Sequence, residues 1–248
     1  MARLLTVLLL SFCAAPAQND TAHAVLWVRT SAEYDAAARQ AYAAARRGFE
    51  RALRDRHWTA ALEQTGAFFD LPPAVILDLD ETVLDNTAFQ ARLARDNKTY
   101  SEEAWEAWVA ERRAGLVPGA LDCLTAARAS GVALFYISNR TCRADDPGDP
   151  TAALLRTLNV PLEPGRLMCR DDSGGKGARR TAVARTHRIL LLIGDDLNDF
   201  VSAPRDLAGR EALADVYAQF WGERWIILPN PMYGSWERAI PSKTEALK

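Results

Sequence analysis

The amino-acid sequence predicts an α/β fold, in which a parallel β-sheet is covered by helices on both faces. Short apolar runs that are typical of buried strands alternate along the chain with segments whose apolar residues recur at three- and four-residue steps. Strands that alternate with helices in this way indicate a parallel sheet between two helical layers. The 248 residues suffice for one sizeable core, alone or with a small helical accessory region.

The N-terminal residues have the pattern of a secretory signal peptide, predicted to span residues 1–17. A short basic start precedes an apolar run, and Ala15-Pro16-Ala17 offers a small-x-small site for cleavage after Ala17. The protein is therefore expected to be exported, to the periplasm or beyond the cell. An alternative reading makes Cys13 the lipidated residue of an outer-membrane lipoprotein, although Phe12 then stands where a small residue is expected.

An N-terminal helical region is predicted over residues 18–70. Within residues 31–65, apolar side chains have the spacing of an amphipathic helix or a helical pair, namely Tyr34, Ala38, Ala41, Tyr42, Ala45, Phe49 and Leu53. Pro72-Pro73 ends this region and introduces the first buried strand, residues 74–79.

The rest of the chain, residues 71–248, is predicted to form the core, with a helical insert at about residues 89–117. Trp105, Trp108 and Val109 share one face of the insert, and Ser101 suits the start of its helix. Further helices are predicted at 120–129, 151–158 and 175–186, and further strands at 132–137, 166–169, 189–193 and 225–228.

Composition and charge exclude several classes of function. The chain is 49% hydrophobic and 25% charged with a net charge of −2, so nothing indicates a nucleic-acid partner. No apolar run reaches the roughly 18–20 residues of a membrane span. The three cysteines outside the signal peptide form no zinc-binding pattern, but an exported protein permits one disulfide among them. The arginine pairs 46–47, 112–113 and 179–180 are expected on solvated faces.

Polar residues follow the predicted strands, and ligands bind at the carboxyl ends of strands in open parallel sheets. Asp78 and Asp80 stand at the end of the first strand, Ser138 at the end of the second, and Asp195 at the end of the strand at 189–193, with Lys176 in a nearby loop. Carboxylates this crowded repel one another unless a cation lies between them. A hard cation such as Mg²⁺ takes oxygen ligands, and Asp78 and Asp195 end neighbouring strands, so both can point at one ion.

The same residues suit phosphoryl transfer. A carboxylate of this cluster can act as a nucleophile and form an aspartyl-phosphate. Asp80 points the same way if the strand remains extended, and can give a proton to the leaving oxygen and later take one from water. Ser138 and Lys176 would hold phosphoryl oxygens. The competing interpretation is that Asp78 and Asp80 are solvated turn residues and that Lys176 lies on a surface loop.

These residues resemble the four motifs of the haloacid dehalogenase (HAD) superfamily, which are matched by Asp78-Leu-Asp-Glu-Thr-Val, Ser138, Lys176 and Gly194-Asp-Asp-Leu-Asn-Asp. The segments DLDETVLDN, AWEAWV, VPGALDC, ISNR, GDDLNDF and LPNPMYGSWE look like one branch, the class C bacterial acid phosphatases, which are exported or lipoprotein nucleotidases. The resemblance runs from about Thr30 to Glu237. Two positions depart from the pattern, because Ser138 replaces a frequent Thr and Asp196 a common Asn.

The resemblance implies a Rossmann-like sheet and a role for each motif residue. Asp78 would be the nucleophile and Asp80 the general acid and base. Mg²⁺ would be held by Asp78, the backbone carbonyl of Asp80 and Asp195, with Asp199 supporting the site from behind. Ser138 and Lys176 would bind phosphate, whereas Glu81 and Asp85 are assigned no catalytic role. Aromatic residues flank the substrate ring in this family, and the matching positions are Trp105 and Tyr233.

The predicted activity is that of a Mg²⁺-dependent acid phosphatase that acts on small phosphomonoesters, with nucleoside 5′-monophosphates as the expected substrates. The alternatives are a phosphotransferase that uses the same residues and a non-catalytic nucleotide- or metal-binding module. The resemblance also implies that Cys142 and Cys169 end adjacent strands and form a disulfide, which leaves Cys123 free. The sequence leaves open whether the protein is a monomer or a homodimer.

Overall fold

A computed structural model describes residues 21–143, 146, 148–170, 175–242 and 246. The predicted signal peptide and Cys13 lie outside the described residues, so export and lipidation stay predictions. Over the described ranges, none of the helices combines the length and the apolar character that crossing a membrane requires.

A five-stranded parallel sheet with the order β5-β4-β1-β6-β7 forms the centre of the molecule. The described strands are β1 (Pro73–Leu77), β2 (Leu84–Asp85), β3 (Gly115–Leu116), β4 (Ala133–Ile137), β5 (Leu167–Met168), β6 (Arg188–Gly194) and β7 (Trp225–Ile227). The predicted strands all occur in this sheet, with bounds shifted by one or two residues. The α/β, Rossmann-like fold class is therefore confirmed.

Helices cover both faces of the sheet, as predicted. The described helices are α1 (Ala22–Thr30), α2 (Ala32–Ala52), α3 (Thr87–Arg95), α4 (Glu102–Glu111), α5 (Ala120–Ala129), α6 (Pro150–Thr157), α7 (Lys176–Ala184) and α8 (Leu207–Val216). On β1, Val75 and Leu77 pack into a core shared with α2 and α5. Ala74 and Ile76 point the other way, into a core shared with α7, as the alternation of side chains along a strand requires.

The helix predicted over residues 31–65 is shorter than expected. Ser31 caps α2 by accepting a hydrogen bond from the Tyr34 N–H, but the helix ends at Ala52, and the prediction was wrong for the residues that follow. In that segment the Trp58 indole N–H donates to the carbonyl of Leu190 at 2.8 Å, and the Ala60 N–H donates to Ile189 at 2.8 Å. The chain is thus tied to β6 by hydrogen bonds that compete with a helix.

The helical insert consists of α3 and α4 and lies between β2 and β3. Ser101 starts α4, as predicted, because its hydroxyl accepts from the Ala104 N–H at 3.2 Å. Trp108 and Val109 are buried, whereas Trp105 is half-buried. The short antiparallel pair β2–β3 closes the base of the insert and was not predicted, and α8 was not predicted either.

A disulfide joins Cys142 to Cys169 and thereby links the segments that follow β4 and β5. The two Cα atoms are 5.6 Å apart, which is a normal separation for a bridge. Because β4 and β5 are neighbours in the sheet, the observed pairing is the one that the resemblance implied. Cys123 is free and buried in α5, also as implied.

Candidate active site

The segments that follow β1, β4 and β6 meet at one edge of the sheet. Asp78 follows β1 directly, and its N–H donates to the carbonyl of Ile193 on β6 at 2.9 Å. Ser138 follows β4, Asp195 follows β6, and Lys176 begins α7. The parallel order of the strands therefore brings these predicted residues to the same end of the sheet, as parallel strands require.

Three carboxylates cluster at this edge. One oxygen from each of Asp78, Asp195 and Asp199 lies within 4.8 Å of the others. The ammonium of Lys176 donates to Asp78 Oδ1, and to Asp199 Oδ1 at 2.5 Å. Asp78, Asp199 and Lys176 are buried and Asp195 is half-buried, so the four charges interact with little screening by water.

Burial and neighbouring charges shift the pKa values of this cluster. Burial raises the pKa of Asp78 to about 7; Lys176 opposes the rise, and Asp199 and Asp80 add to it. Burial also raises the pKa of Asp195 well above its ordinary value, with Asp199 and Asp78 contributing. For Lys176, burial opposes the charge, but Asp199 and Asp78 outweigh it and raise the pKa. One lysine does not neutralise three carboxylates.

The Asp199 carboxylate shapes the loop after β6. Its Oδ2 accepts from the N–H groups of Asp195 at 3.0 Å and Asp196 at 2.9 Å, while its Oδ1 faces Lys176. A Cβ atom at Gly194 would overlap this carboxylate, so glycine lets the side chain approach the strand end. These contacts use both oxygens of Asp199 and fit the predicted supporting role, which stays a prediction.

Two residues without a predicted role orient Asp195. The Thr82 hydroxyl donates to Asp195 Oδ1 at 3.1 Å, and the Asn230 amide donates to Oδ2 at 2.8 Å. Thr82 follows β1 and Asn230 follows β7, so the site draws on the last strand of the sheet as well. Both residues lie in segments that carry the resemblance, which was the one signal that could have indicated them.

Asp80 occupies a different environment from Asp78. The strand β1 ends at Leu77, and Glu81, the residue after Asp80, adopts a left-handed conformation with φ 58°. The Asp80 carboxylate accepts from Arg140 Nη2 at 2.6 Å and from the Asn86 amide at 2.9 Å. Arg140 and Asn86 were missed, although the ISNR segment contains Arg140.

Ser138 and the start of α7 are tied together by Arg179. The Ser138 hydroxyl accepts from the Arg140 N–H at 3.1 Å, and the Ser138 carbonyl accepts from Arg179 Nη1 at 2.6 Å. Arg179 Nη1 also donates to the carbonyls of Met168 and Cys169 at 3.1 and 2.9 Å. The expectation that Arg179 lies on a solvated face was wrong, because it is buried against the ends of β4 and β5.

Arg180 is buried as well, so the prediction for this arginine pair fails at both positions. Its Nε donates to Glu63 at 2.8 Å, and its Nη1 donates to the carbonyls of Asn198 and Asp199 at 3.1 Å each. The first turns of α7 thus present three cations at i, i+3 and i+4, which lie on one helix face. They bind the loops that carry Asp78, Ser138 and Asp199.

The two predicted stacking residues lie against the protein. Trp105 packs at 5.3 Å from Phe89, measured between ring centroids, and the Arg140 guanidinium lies 5.4 Å from its ring. Tyr233 is half-buried beside a small cluster that contains Met232 and residues of α1. Their role towards a substrate stays a prediction.

The residues at this edge fit a divalent metal ion. Asp78, Asp195 and Asp199 offer only oxygen donors, which suits a hard cation and disfavours a soft one. Burial, with neighbouring carboxylates adding to it, raises the pKa of Asp78 and of Asp195, and a bound cation would favour the charged form of both groups. The structure thus places three carboxylates that could hold a cation beside Lys176, one of the two phosphate-binding candidates.

Comparison with known proteins identifies the family to which the chain belongs. The chain matches the family described as HAD superfamily, subfamily IIIB (Acid phosphatase), over residues 7–236. It is similar to the structure of the class C acid phosphatase from Bacillus anthracis, with 32% sequence identity, a TM-score of 0.77 and coverage of 92% of both chains. The structure of the class C acid phosphatase from Bacillus anthracis with tungstate bound matches at 32% identity and a TM-score of 0.76, covering 91% of this chain and 92% of that one.

Proposed function

The chain belongs to the HAD subfamily IIIB acid phosphatases and is a phosphoric monoester hydrolase; from this premise we propose that it cleaves phosphomonoesters through an aspartyl-phosphate on Asp78. The observation that carries the mechanism is the contact of Lys176 with Asp78 and Asp199 at the strand edge. A buried carboxylate beside a buried ammonium can meet a phosphoryl group whose negative oxygens the ammonium stabilises.

In the first half of the reaction, an Asp78 oxygen attacks phosphorus and the bond from phosphorus to the leaving oxygen breaks. The carboxylic acid form of Asp80 gives its proton to that leaving oxygen. Lys176 and the Ser138 hydroxyl hold the phosphoryl oxygens. The buried position of Lys176 strengthens this interaction, because a charge in a dry site acts through a lower effective dielectric constant than in water.

In the second half, water attacks the phosphorus of the aspartyl-phosphate and Asp80 takes a proton from that water. The bond between Asp78 and phosphorus breaks, so that the Asp78 carboxylate is regenerated and inorganic phosphate leaves. Asp80 then carries the proton needed for the next turnover. Asp78 is therefore the nucleophile and Asp80 the acid and base throughout, and each returns to its starting state.

A divalent metal, proposed to be Mg²⁺, would be held by Asp78 and Asp195 with the backbone carbonyl of Asp80, and it would supply charge neutralisation for the phosphoryl group. Thr82 and Asn230 fix both oxygens of Asp195, and Asp199 fixes the backbone of the loop. These hydrogen bonds orient the carboxylate that would bind the metal, as the contacts around metal ligands generally do.

For the substrate we propose nucleoside 5′-monophosphates, and with them nicotinamide mononucleotide, recognised by stacking on Trp105 and Tyr233. Each stack is worth about 1–3 kcal/mol where it occurs in other proteins. Arg140 lies 5.4 Å from the Trp105 ring and occupies one side of it. A base can therefore stack only on the opposite face of Trp105.

The substrate proposal is tested with Tyr233→Ala and Trp105→Ala, assayed on a nucleoside 5′-monophosphate and on a small aliphatic phosphate. Selective loss of nucleotide turnover is the expected result, because only the nucleotide has a ring to stack. Equal losses on both substrates, with a lowered melting temperature, would show that these side chains are structural.

The catalytic proposal is tested with Asp78→Asn, which should abolish phosphate release while leaving the circular dichroism spectrum unchanged, because an amide is a poor nucleophile. Phosphate release is assayed with Mg²⁺ and after chelation, across nucleotides, sugar phosphates and an aryl phosphate. An Asp78→Asn protein that keeps near wild-type activity would overturn the covalent mechanism.

We also propose that the protein acts outside the cytoplasm. The Cys142–Cys169 disulfide supports this location, because disulfides persist in oxidising compartments. Expression of the full chain in a bacterium followed by fractionation tests it: the mature protein should be in the periplasm and begin at Gln18. Intact protein in the cytoplasm would contradict the proposal, and a lipid-modified N-terminus at Cys13 would support the lipoprotein alternative.

A further inference from the structure

Arg140 is a buried cation at the site, and no role was predicted for it. Its side chain is 1% exposed, and its Nη2 lies 2.6 Å from Asp80 Oδ1. Its Nε donates to both oxygens of Asp80, at 3.0 and 3.1 Å. We propose that Arg140 is a positioning residue that fixes the Asp80 carboxyl for proton transfer to the leaving oxygen, an inference that rests on the role of Asp80 in the proposed function.

The contacts of Asp80 distinguish its two oxygens. Oδ1 accepts from Arg140 Nη2, from Arg140 Nε and from the Asn86 amide. Oδ2 accepts a single bond from the described residues, the 3.1 Å contact with Arg140 Nε. Oδ1 is therefore occupied by donors, and Oδ2 keeps the lone pair that can carry the transferred proton.

Three elements in turn hold the Arg140 guanidinium in one orientation. Thr151, in the first turn of α6, accepts from Nη1 at 3.3 Å, and Asn86 Oδ1 accepts from Nη2 at 3.4 Å. Asn86 Oδ1 also accepts from the Trp108 indole at 2.9 Å, and Trp105 of α4 covers the guanidinium. The planar fork of arginine is thus locked by packing, and a side chain held this way holds its partner in place.

The proton path keeps atoms and charges balanced. In the first half, Asp80 Oδ2–H gives its proton to the leaving alkoxide as the bond from phosphorus to that oxygen breaks and the bond to Asp78 forms. In the second half, Oδ2 takes a proton from the attacking water. Arg140 gains and loses nothing in either half, because its part is to keep Oδ2 aimed at the reacting oxygen.

Two other roles would use the same contacts. Arg140 could bind a phosphoryl oxygen of the substrate directly, or it could only fill the core between β4, α4 and α6. A phosphate-binding role affects every phosphomonoester alike, and so does a purely structural role. If Arg140 acts through Asp80, its loss lowers the rate more for substrates whose leaving group needs the proton more.

The test is a leaving-group series on Arg140→Met, with kcat/KM measured for aryl phosphates of graded leaving-group acidity and for an alkyl phosphate. This constant reports only the steps up to departure of the leaving group, so the later hydrolysis does not mask the effect. We expect kcat/KM to fall about 10²-fold on the alkyl phosphate and less than about tenfold on p-nitrophenyl phosphate. The slope of log(kcat/KM) against leaving-group acidity should become steeper.

Arg179→Met is the matched control, because Arg179 is also buried at this edge but contacts the Ser138 carbonyl rather than Asp80. Its losses should be equal across the series. Circular dichroism and melting temperature establish folding. If Arg140→Met does not fold, Arg140→Lys keeps the charge without the two-pronged contact and should give a steepened slope of intermediate size.

Asp80→Asn separates failure of the inference from failure of the proposed function. If Asp80→Asn steepens the slope and the folded Arg140 variant does not, the positioning role is overturned. If neither variant steepens it, Asp80 is not the acid, and the proposed mechanism fails together with the inference. A uniform loss in Arg140→Met across all substrates also overturns the positioning role.

Discussion

Lys176 is the residue whose surroundings most constrain the chemistry of the site. Its side chain is 8% exposed and lies between Asp78 and Asp199. Burial opposes its charge, yet the two carboxylates raise its pKa, so the ammonium is retained. The same contacts serve binding and stability, because removal of the cation leaves buried carboxylates facing one another.

Lys176→Met is therefore expected to destabilise the protein as well as inactivate it. Removing one partner of a buried ion pair costs about 3–5 kcal/mol, and the loss should appear in urea denaturation. Lys176→Arg is the control, because it keeps the charge and should lose much less stability. A Lys176→Met protein as stable as the wild type would show that the pair contributes nothing net to folding.

The sequence predicted the residues that follow strands better than the residues that orient them. Asp78, Ser138 and Asp195 were identifiable because each comes directly after an apolar run. Arg140 lies 60 residues from Asp80, and Asn230 lies 35 from Asp195. Nothing in periodicity or composition indicates which distant side chains pair, so these contacts required the structure.

At the scale of elements, the strands of the sheet were predictable because burial on both faces makes each an uninterrupted apolar run. The pair β2–β3 was not, because strands of two residues carry no periodic signal. Helix α8 was not predicted because it buries no residue and so has no apolar stripe. Arg179 and Arg180 were wrongly predicted to be solvated, since adjacent arginines usually indicate a solvated face.

The bridge between the β4 and β5 segments gives a prediction about covalent state. Titration of the oxidised mature protein under denaturing conditions should find one free thiol, that of Cys123. Cys123→Ala should reduce the count to zero and leave the bridge intact. Three free thiols in the wild-type protein would rule the disulfide out.

Loss of that bridge should also lower stability. The cysteines are 27 residues apart, and a loop of this length corresponds to about 3.5 kcal/mol in the chain-entropy relation. The Cys142→Ser/Cys169→Ser double variant should lose free energy of unfolding on this scale. No loss would show that packing of the two segments, including the Arg179 contacts, holds them without the bridge.

The turn between α7 and β6 predicts a pH effect on stability. Burial lowers the pKa of His187 below its ordinary value, with the nearby Arg166 guanidinium contributing. The unfolded chain therefore binds a proton at this position more readily than the native protein does. The stabilisation is present above about pH 6.5, the ordinary pKa of histidine, and is lost as the pH falls through the lowered native value.

The comparison of wild type with His187→Gln isolates this contribution, because other titrating groups are shared. The difference between their melting temperatures should change as the pH falls from 7.5 towards 5, with the wild type losing more stability. A difference that stays constant over this range would mean that His187 titrates alike in the native and unfolded states.

For the molecule as a whole, the active edge is held together by side chains from many parts of the chain. Helix α7 binds the ends of β4 and β5 through Arg179 and the loop after β6 through Arg180. The insert contributes Asn86 and Trp105 around Arg140. The N-terminal segment contributes Glu63, which pairs with Arg180. Side chains from elements on the two faces of the sheet therefore converge on this edge.

A metal-dependent change in global stability is the last prediction. One oxygen from each of Asp78, Asp195 and Asp199 lies within 4.8 Å of the others. Lys176 offsets only part of their repulsion, so we expect the folded protein to be less stable without a bound metal ion. Bound Mg²⁺ should stabilise it by about 2.7 kcal/mol at a concentration 100 times the dissociation constant. Melting temperatures measured with Mg²⁺ and with chelator test this without reference to activity.

Asp195→Asn should be more stable than the wild type without metal and should gain little stability from Mg²⁺. With chelator it should melt above the wild type, because one of three repelling carboxylates is gone. The amide oxygen can still accept from Asn230, and the amide nitrogen can donate to the Thr82 hydroxyl once that hydroxyl rotates. With Mg²⁺ it should gain little, because an amide is a weaker ligand than a carboxylate. Stability is commonly sacrificed in this way at functional sites. If Mg²⁺ stabilised Asp195→Asn as much as the wild type, the metal would not bind at this cluster.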